Sequence, residues 1–231
     1  MIEILHHPEN SIQLPIDQNR TRDRRTLPDL LPRLSSQKPT EIMSPPITIQ
    51  TATPQDASPI AHIQIAGWRA SYQNIIPEPH LKNLSVSDKT AFWQRILIDP
   101  VEAENILVAR RRQDDTSPSD QNTAPAQILG FVTFGSADES PGSTGSDARK
   151  GELRAIYVDL QHLSEGVGRC LWAAAQKKLV ELGYSEVVVW VFAGNGRAER
   201  FYHKAGFTDS QTGQTTVGGV KVGTLQLRKR L

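Results

Sequence analysis

The pattern of apolar and polar positions changes near residue 47, and from there strand-like and helix-like segments follow one another. Alternating or short apolar runs predict strands at 47–51, 105–111, 127–135, 152–158, 186–192, 207–211 and 220–228. Helical spacing predicts a helix that starts near residue 54, a second one at 68–75 after a kink, and others at 87–98, 166–182 and 196–205.

The order of these elements predicts a mixed sheet of the α/β (α+β) class. The strands up to residue 158 follow as an antiparallel meander. The strand–helix–strand unit from 152 to 192 requires one parallel pair with a right-handed crossover. Because residues 187–192 are almost continuously apolar, we expect this strand to be buried on both faces.

Residues 1–46 lack this periodicity and contain seven of the 15 prolines. Such a stretch cannot bury enough apolar surface to offset the entropy of ordering it, so we expect a disordered or poorly ordered tail. Met43, just before the first strand, is an alternative start of the protein. The remaining chain, 47–231, is predicted to be one domain, with long polar loops inserted at 112–126 and 136–148.

The charge balance narrows the class of partner. The chain has 26 Lys and Arg against 25 Asp and Glu, a net charge of +1, which argues against a nucleic-acid partner. The arginines within 20–25 could form a nucleic-acid or targeting arm, but the acidic residue between them favours a solvated linker.

The cysteine count, the histidine spacing and the hydropathy of the chain exclude further classes of protein. One cysteine excludes an internal disulfide, and the histidines show no metal-ligand spacing, so no metal is expected. No apolar stretch approaches the roughly 18 residues of a membrane span. Because the first 25 residues also lack the apolar run of a secretory signal, we expect a cytoplasmic protein with no membrane partner.

The segment that carries chemistry begins with the strand 152–158 and continues through a loop containing Gly166 and Gly168 into a helix. Free N–H groups at a helix N-terminus bind anions, and glycines let a phosphate approach the backbone. A dinucleotide fingerprint does not fit, because Leu171 stands where the third glycine is needed and the turn does not follow the strand tightly. An ordinary glycine-cushioned helix start remains the alternative.

A second motif follows at 195–207. Four apolar or aromatic residues at helical spacing form a stripe there: Ala198, Phe201, Tyr202 and Ala205. Gly206 is placed to end the helix, with Phe207 packing back on it.

With these motifs the chain resembles the GNAT superfamily of N-acetyltransferases over residues 47–231. The resemblance is specific at Glu-Leu-x-x-Ile-Tyr-Val from residue 152, at the Gly-x-Gly helix start, and above all at Asn-x-Arg-Ala-x-Arg-Phe-Tyr-x-Lys-x-Gly-Phe from residue 195. It implies a GNAT-like fold whose central parallel strands splay apart. It also implies an enzyme that moves an acetyl group from acetyl-CoA, its cosubstrate, to an amine by direct attack, without a covalent enzyme intermediate.

The resemblance also implies roles for individual residues. Tyr202 would be the general acid near the thioester sulfur, and Trp68 and Tyr72 would border the acceptor site. The backbone around 156–158 would bind the acyl carbonyl and the pantetheine arm. The loop 163–168 would bind the pyrophosphate. The implied cofactor-binding set is Ile156, Tyr157, Val158, Ser164, Gly166, Val167, Gly168, Arg169 and Asn195.

The chemistry of the reaction adds a candidate base. An amine that attacks a thioester needs an oxyanion donor, a proton acceptor and a donor to the leaving thiolate. Glu152 is the candidate acceptor, directly or through water, and a salt-bridged strand glutamate is an equally good interpretation. Core packing is the alternative role for Tyr202, Trp68 and Tyr72.

The phosphate loop departs from the family pattern at Leu163, Ser164 and Glu165, where basic or polar residues usually precede the glycines. Repulsion by Glu165 predicts that Glu165→Arg tightens acetyl-CoA binding, while a Ser164 helix cap and Arg169 would oppose the repulsion. A catalytically weak module that binds acyl-CoA or a partner protein is therefore the alternative function. The acceptor class stays open between small-molecule and protein amines, and the family also allows a homodimer.

Overall fold

The computed structural model describes residues 47–111, 127–137 and 149–231. Seven strands form one sheet: β1 (Ile47–Thr51), β2 (Ile106–Arg111), β3 (Ile128–Ser136), β4 (Lys150–Val158), β5 (Glu186–Phe192), β6 (Thr208–Val217) and β7 (Val220–Arg230). Six α-helices accompany them: α1 (Ala57–Ser71), α2 (Glu78–Lys82), α3 (Val86–Ile98), α4 (Pro100–Ala103), α5 (Val167–Glu181) and α6 (Gly196–Lys204). The tail at 1–46 and nearly all of both predicted loops lie outside the described residues.

The strand order is β1-β2-β3-β4-β5-β7-β6, and only β4 and β5 pair in parallel. The antiparallel meander and the single parallel pair of the predicted mixed α/β fold are thus confirmed. The sequence did not predict that β7 would lie between β5 and β6.

The parallel pair is short. Only Lys150–Glu152 of β4 pairs with Glu186–Val188 of β5, although both strands continue for several residues. Beyond Glu152 the two strands part, and the carboxyl-terminal half of β4 keeps partners only on β3. The predicted splay of the central strands is therefore present as a gap between β4 and β5.

The two faces of the sheet carry separate apolar clusters. One packs α1 and α3 on the sheet and includes Trp93, Phe131 and Tyr157. The other packs α5 and α6 on the opposite face and includes Leu171 and Tyr202. Strand β5 contributes to both clusters. Phe192 belongs to the first cluster, and the valines at alternate positions of β5 belong to the second. The strand is therefore buried on both faces, as predicted.

Helix α1 differs from its prediction. It runs without interruption from Ala57 to Ser71, where a kink near Trp68 was expected. Gly67, which directly precedes the expected kink, is buried, and a Cβ there would lie 3.0 Å from Tyr157 Cδ1. Gly67 therefore permits close approach of β4 to the helix and does not break it.

Helix α6 ends as its sequence predicts. Gly206 has φ of 89°, the Gly206 N–H donates to His203 O, and the Phe207 N–H donates to Tyr202 O, both at 3.0 Å. This pair of bonds is the Schellman arrangement, which needs a residue with positive φ after the helix. It fixes the Phe207 ring at 5.2 Å from the Tyr202 ring. Among the described residues, no helix has both the length and the apolar character that crossing a membrane requires.

Candidate active site

A cavity of about 590 Å³ opens where β4 ends and α5 begins, and α6 forms its other wall. Six of the predicted cofactor-binding residues line it: Val158, Ser164, Gly166, Val167, Gly168 and Arg169. The structure thus brings α6 together with the end of the β4 motif and the Gly-x-Gly motif, from which α6 is separated in the sequence by helix α5 and strand β5.

Charge distinguishes this cavity. Four cationic side chains line it, namely Arg169 from α5 and Arg197, Arg200 and Lys204 from α6, and none of its lining residues is acidic. We call this site the cationic cavity. Basic side chains on a confined surface concentrate anions and form charge-assisted hydrogen bonds with phosphate oxygens.

The start of α5 faces the same cavity. Gly166 precedes the helix with φ of 86°, which a glycine adopts without strain. The first N–H groups of a helix have no intrahelical partner, so those at this end are available to an anion.

The predicted Ser164 helix cap is wrong. The residue before α5 is Gly166, no side chain in the described part of the chain caps the helix, and Ser164 itself lies two residues earlier with φ of 66°. That conformation is uncommon for a residue other than glycine. Ser164 lines the cavity and lies outside the helix.

Glu165, the acidic residue of the loop, does not line the cavity. Its carboxylate accepts a hydrogen bond from Arg111 of β2 at 2.5 Å and lies 3.3 Å from His162 Nδ1. Partial burial would raise the pKa of this carboxyl, but the hydrogen bonds from Arg111 and His162 outweigh that effect and hold the pKa below its ordinary value. The charge that was expected to face a phosphate is thus neutralised by an arginine.

Tyr202 lies fully buried on α6, in the apolar cluster beneath α5. Its hydroxyl has no hydrogen-bond partner among the described residues. Burial, with a smaller contribution from Tyr157, raises the pKa of Tyr202 well above its ordinary value. The hydroxyl therefore keeps its proton at neutral pH and has it free to donate.

Across the gap, aromatic side chains form a dense group that we call the aromatic cluster: Trp68, Tyr72, Tyr157 and Phe192. Trp68 Nε1 donates to Tyr157 Oη at 2.7 Å, and the Tyr72 ring lies edge-on to Phe192 at 4.7 Å. Burial, followed by the charges of Tyr157 and Tyr202, raises the pKa of Tyr72 well above its ordinary value.

Glu152 occupies the last paired position of β4 before the gap. Its neighbours Gly151 and Leu153 face α5, so its side chain points to the opposite face from Tyr202. The carboxylate is mostly buried and lies 3.8 Å from Arg154 Nε. Glu152 and Tyr202 are therefore on the two sides of the sheet.

Asn195 is the N-cap of α6, and its Oδ1 accepts a hydrogen bond from the Ala198 N–H at 3.2 Å. It is buried and is not among the residues that line the cationic cavity. The structure thus gives it a clear role in starting the helix that carries Arg197 and Tyr202.

Sequence reasoning missed the cations of α6 and the pair Arg111 and His162. A signal was present for α6, because Arg197, Arg200 and Lys204 share a face at helical spacing within the strongest motif. No local pattern could have joined Arg111 to Glu165, because they are 54 residues apart.

Comparison with known proteins agrees with this geometry. The family model described as "Acetyltransferase (GNAT) family" matches residues 79–207, more than half of the chain. The chain is similar to the uncharacterized N-acetyltransferase YuaI of Bacillus subtilis, with 28% identity over 149 residues, 64% of this chain and 73% of that protein. A shorter stretch, 36% of this chain, is 37% identical to the mycothiol acetyltransferase of Kocuria rhizophila and spans 26% of it.

Solved structures give the same fold. The PaiA N-acetyltransferase of Thermoplasma acidophilum, in complex with coenzyme A, superposes with a TM-score of 0.57 at 18% identity, over 80% of this chain and 99% of that one. The chain therefore belongs to the acetyltransferase (GNAT) family and is an N-acetyltransferase.

Proposed function

We propose that the protein transfers an acetyl group from acetyl-CoA to a primary amine by direct attack of that amine. The observation that carries the proposal is the place of Val158, which lines the cationic cavity and lies in the part of β4 that no longer pairs with β5. Binding of coenzyme A by the PaiA relative supports the choice of cosubstrate.

The residues of the cavity fit coenzyme A. Its diphosphate and 3′-phosphate are anions, and the cavity wall combines four cationic side chains with the free N–H groups at the start of α5. We assign the diphosphate to the backbone of Gly166–Gly168 and to Arg169. The α6 side chains Arg200 and Lys204 hold the remaining phosphate charge.

The gap fits the thioester end. Acetyl-CoA supplies an acetyl thioester there, and the backbone of Ile156–Val158 lines the β4 side, where β5 no longer pairs with it. The unpaired, buried Tyr202 hydroxyl donates a hydrogen bond to the sulfur as negative charge develops on it. Because burial raises the pKa of Tyr202, hydrogen-bond donation contributes more than complete proton transfer.

Glu152 receives the proton of the attacking amine, directly or through a water molecule. Its place at the last paired residue of β4, on the face opposite Tyr202, supports this role because acid and base must flank the reacting carbonyl. The acceptor then approaches from the side of the aromatic cluster, with Trp68 and Tyr72 at its border.

Release of free thiol from acetyl-CoA over a panel of polyamines, amino acids and peptides tests the proposal. We expect amine-dependent release for at least one acceptor class, with acetylated amine formed in equal amount. The alternative function is a catalytically weak module that binds acyl-CoA or a partner protein. Tight binding of acetyl-CoA without thiol release for any amine would favour that alternative and overturn the proposed one.

A further inference from the structure

Three side chains tie the loop before α5 to the end of β2. Arg111 donates to Glu165 at 2.5 Å and lies 3.3 Å from His162 Nδ1, which is itself 3.3 Å from the other Glu165 oxygen. We call Arg111, His162 and Glu165 the loop latch. A ring nitrogen that donates to Glu165 cannot also accept from Arg111, so Arg111 fixes the loop through Glu165 and His162 supports the same carboxylate.

The latch encloses the most unusual backbone conformation of the site. Ser164 is the only described residue other than glycine with positive φ, and it lies between His162 and Glu165. A conformation of this kind persists only where its surroundings enforce it, and it is common where a loop clamps a ligand. On one side Leu163 packs against the apolar cluster, and on the other Glu165 is bound to Arg111.

The same arrangement removes the repulsion that Glu165 was expected to cause. A carboxylate bound by a guanidinium presents little net charge to its surroundings, and Glu165 does not line the cavity while Ser164 and His162 do. The lowered pKa of Glu165 keeps the carboxylate ionised at neutral pH, as the ion pair requires.

We propose that Glu165 and Arg111 are positioning residues, which hold the loop in the conformation that binds the phosphates of acetyl-CoA. This inference rests on the proposed use of the cationic cavity for acetyl-CoA. A loop already held in its binding conformation loses less entropy when the ligand arrives, which strengthens binding. The expected sign is therefore opposite to simple charge repulsion: neutralising Glu165 weakens binding.

Calorimetry with coenzyme A tests the sign. We expect Glu165→Gln and Arg111→Gln each to raise Kd about fivefold, the size of a partly exposed ion pair. The double variant that combines Arg111→Glu with Glu165→Arg restores an ion pair with the charges exchanged. We expect it to bind coenzyme A more tightly than Glu165→Arg alone. Glu181→Gln, which removes an exposed ion-paired carboxylate at the far end of α5, is the matched control and leaves Kd unchanged.

Kinetics with a phosphate-free cosubstrate separate positioning from a general loss of structure. With acetyl-CoA, the latch variants raise KM and leave kcat unchanged, whereas with S-acetylpantetheine neither constant changes. If wild-type protein binds coenzyme A and Glu165→Gln binds it equally or more tightly, the positioning role of the loop latch is wrong, while the proposed function stands. If wild-type protein does not bind coenzyme A, the proposed function fails and the latch fails with it.

Discussion

The two sides of the gap between β4 and β5 are built in opposite ways. The cationic cavity on the α5 and α6 side is open, and four positively charged side chains line it. The aromatic cluster on the α1 side is closed, and Trp68, Tyr72 and Tyr157 are each at most 3% exposed. The first region has a shape and charge that identify a ligand chemistry, whereas the second has the close packing of a protein core.

This difference explains why the cosubstrate is easier to infer than the acceptor. Positive charge in an open cavity favours an anionic ligand, and this charge can be recognised from the lining residues alone. Tight packing in the aromatic cluster mainly stabilises the fold. An amine acceptor can therefore contact only the exposed surface at the border of this cluster. Substitutions should therefore affect different quantities on the two sides: binding at the cavity, unfolding free energy in the cluster, and turnover at the gap between them.

The largest effect is expected at the gap itself. Tyr202→Phe removes the hydroxyl that we propose donates to the sulfur, and we expect kcat to fall about 100-fold while KM for acetyl-CoA changes little. Because the buried hydroxyl has no partner among the described residues, its loss should not reduce thermal stability. Steady-state kinetics and thermal unfolding of the same preparation check both parts. An unchanged kcat would remove Tyr202 from the mechanism.

The next effect concerns the open side. Reversing two cavity charges with Arg200→Glu and Lys204→Glu should raise Kd for acetyl-CoA roughly tenfold or more at low salt, and the difference should shrink as salt is added. The unfolding free energy should change little. Lys177→Glu, on an exposed part of α5, is the control. Equal weakening by that control would mean that overall charge, and not the cavity, determines the affinity.

A smaller effect is expected on the closed side, and it should appear in stability. Trp68→Phe keeps an aromatic ring but removes the Nε1 donor to Tyr157 Oη. Losing a buried hydrogen bond costs about 1–2 kcal/mol, so urea unfolding should show a decrease of that size. Calorimetric Kd for acetyl-CoA should stay at the wild-type value. A raised Kd with unchanged stability would contradict the division of roles between the two sides.

The smallest effect is a pH dependence at the edge of the open side. The folded pKa of Glu165 is lowered, so its stabilisation is complete above the ordinary value of 4.5 and is lost as pH falls through the folded value. The difference in unfolding free energy between wild type and Glu165→Gln should therefore be constant near neutral pH and shrink below pH 4.5. A difference that did not shrink below pH 4.5 would show that the ionised carboxylate does not stabilise the fold.

Much of the fold and part of the candidate site could be predicted from local sequence. The apolar periodicity gave the seven strands and the long helices, and the motif around Tyr202 and Gly206 gave the end of α6, because each depends on neighbours within a few residues. The Gly-x-Gly start of α5 was likewise visible. The short helices α2 and α4 were missed, since one turn is too short for a periodic signal.

Contacts between distant segments could not be predicted. A kink was expected after Gly67, and the Tyr157 ring that packs on this glycine is 90 residues away in the sequence. Glu165 was expected to repel phosphate because Arg111 belongs to a different strand. In both places a local pattern was overridden by a neighbour that only the folded sheet supplies.

The most direct measurement is a crystal structure of the protein with bound coenzyme A. The account predicts the diphosphate within hydrogen-bond distance of the Gly166–Gly168 backbone and of Arg169, and the sulfur in the gap between β4 and β5 beside Tyr202 Oη. Coenzyme A bound with its phosphates away from the cationic cavity, or with its sulfur outside the gap, would contradict it.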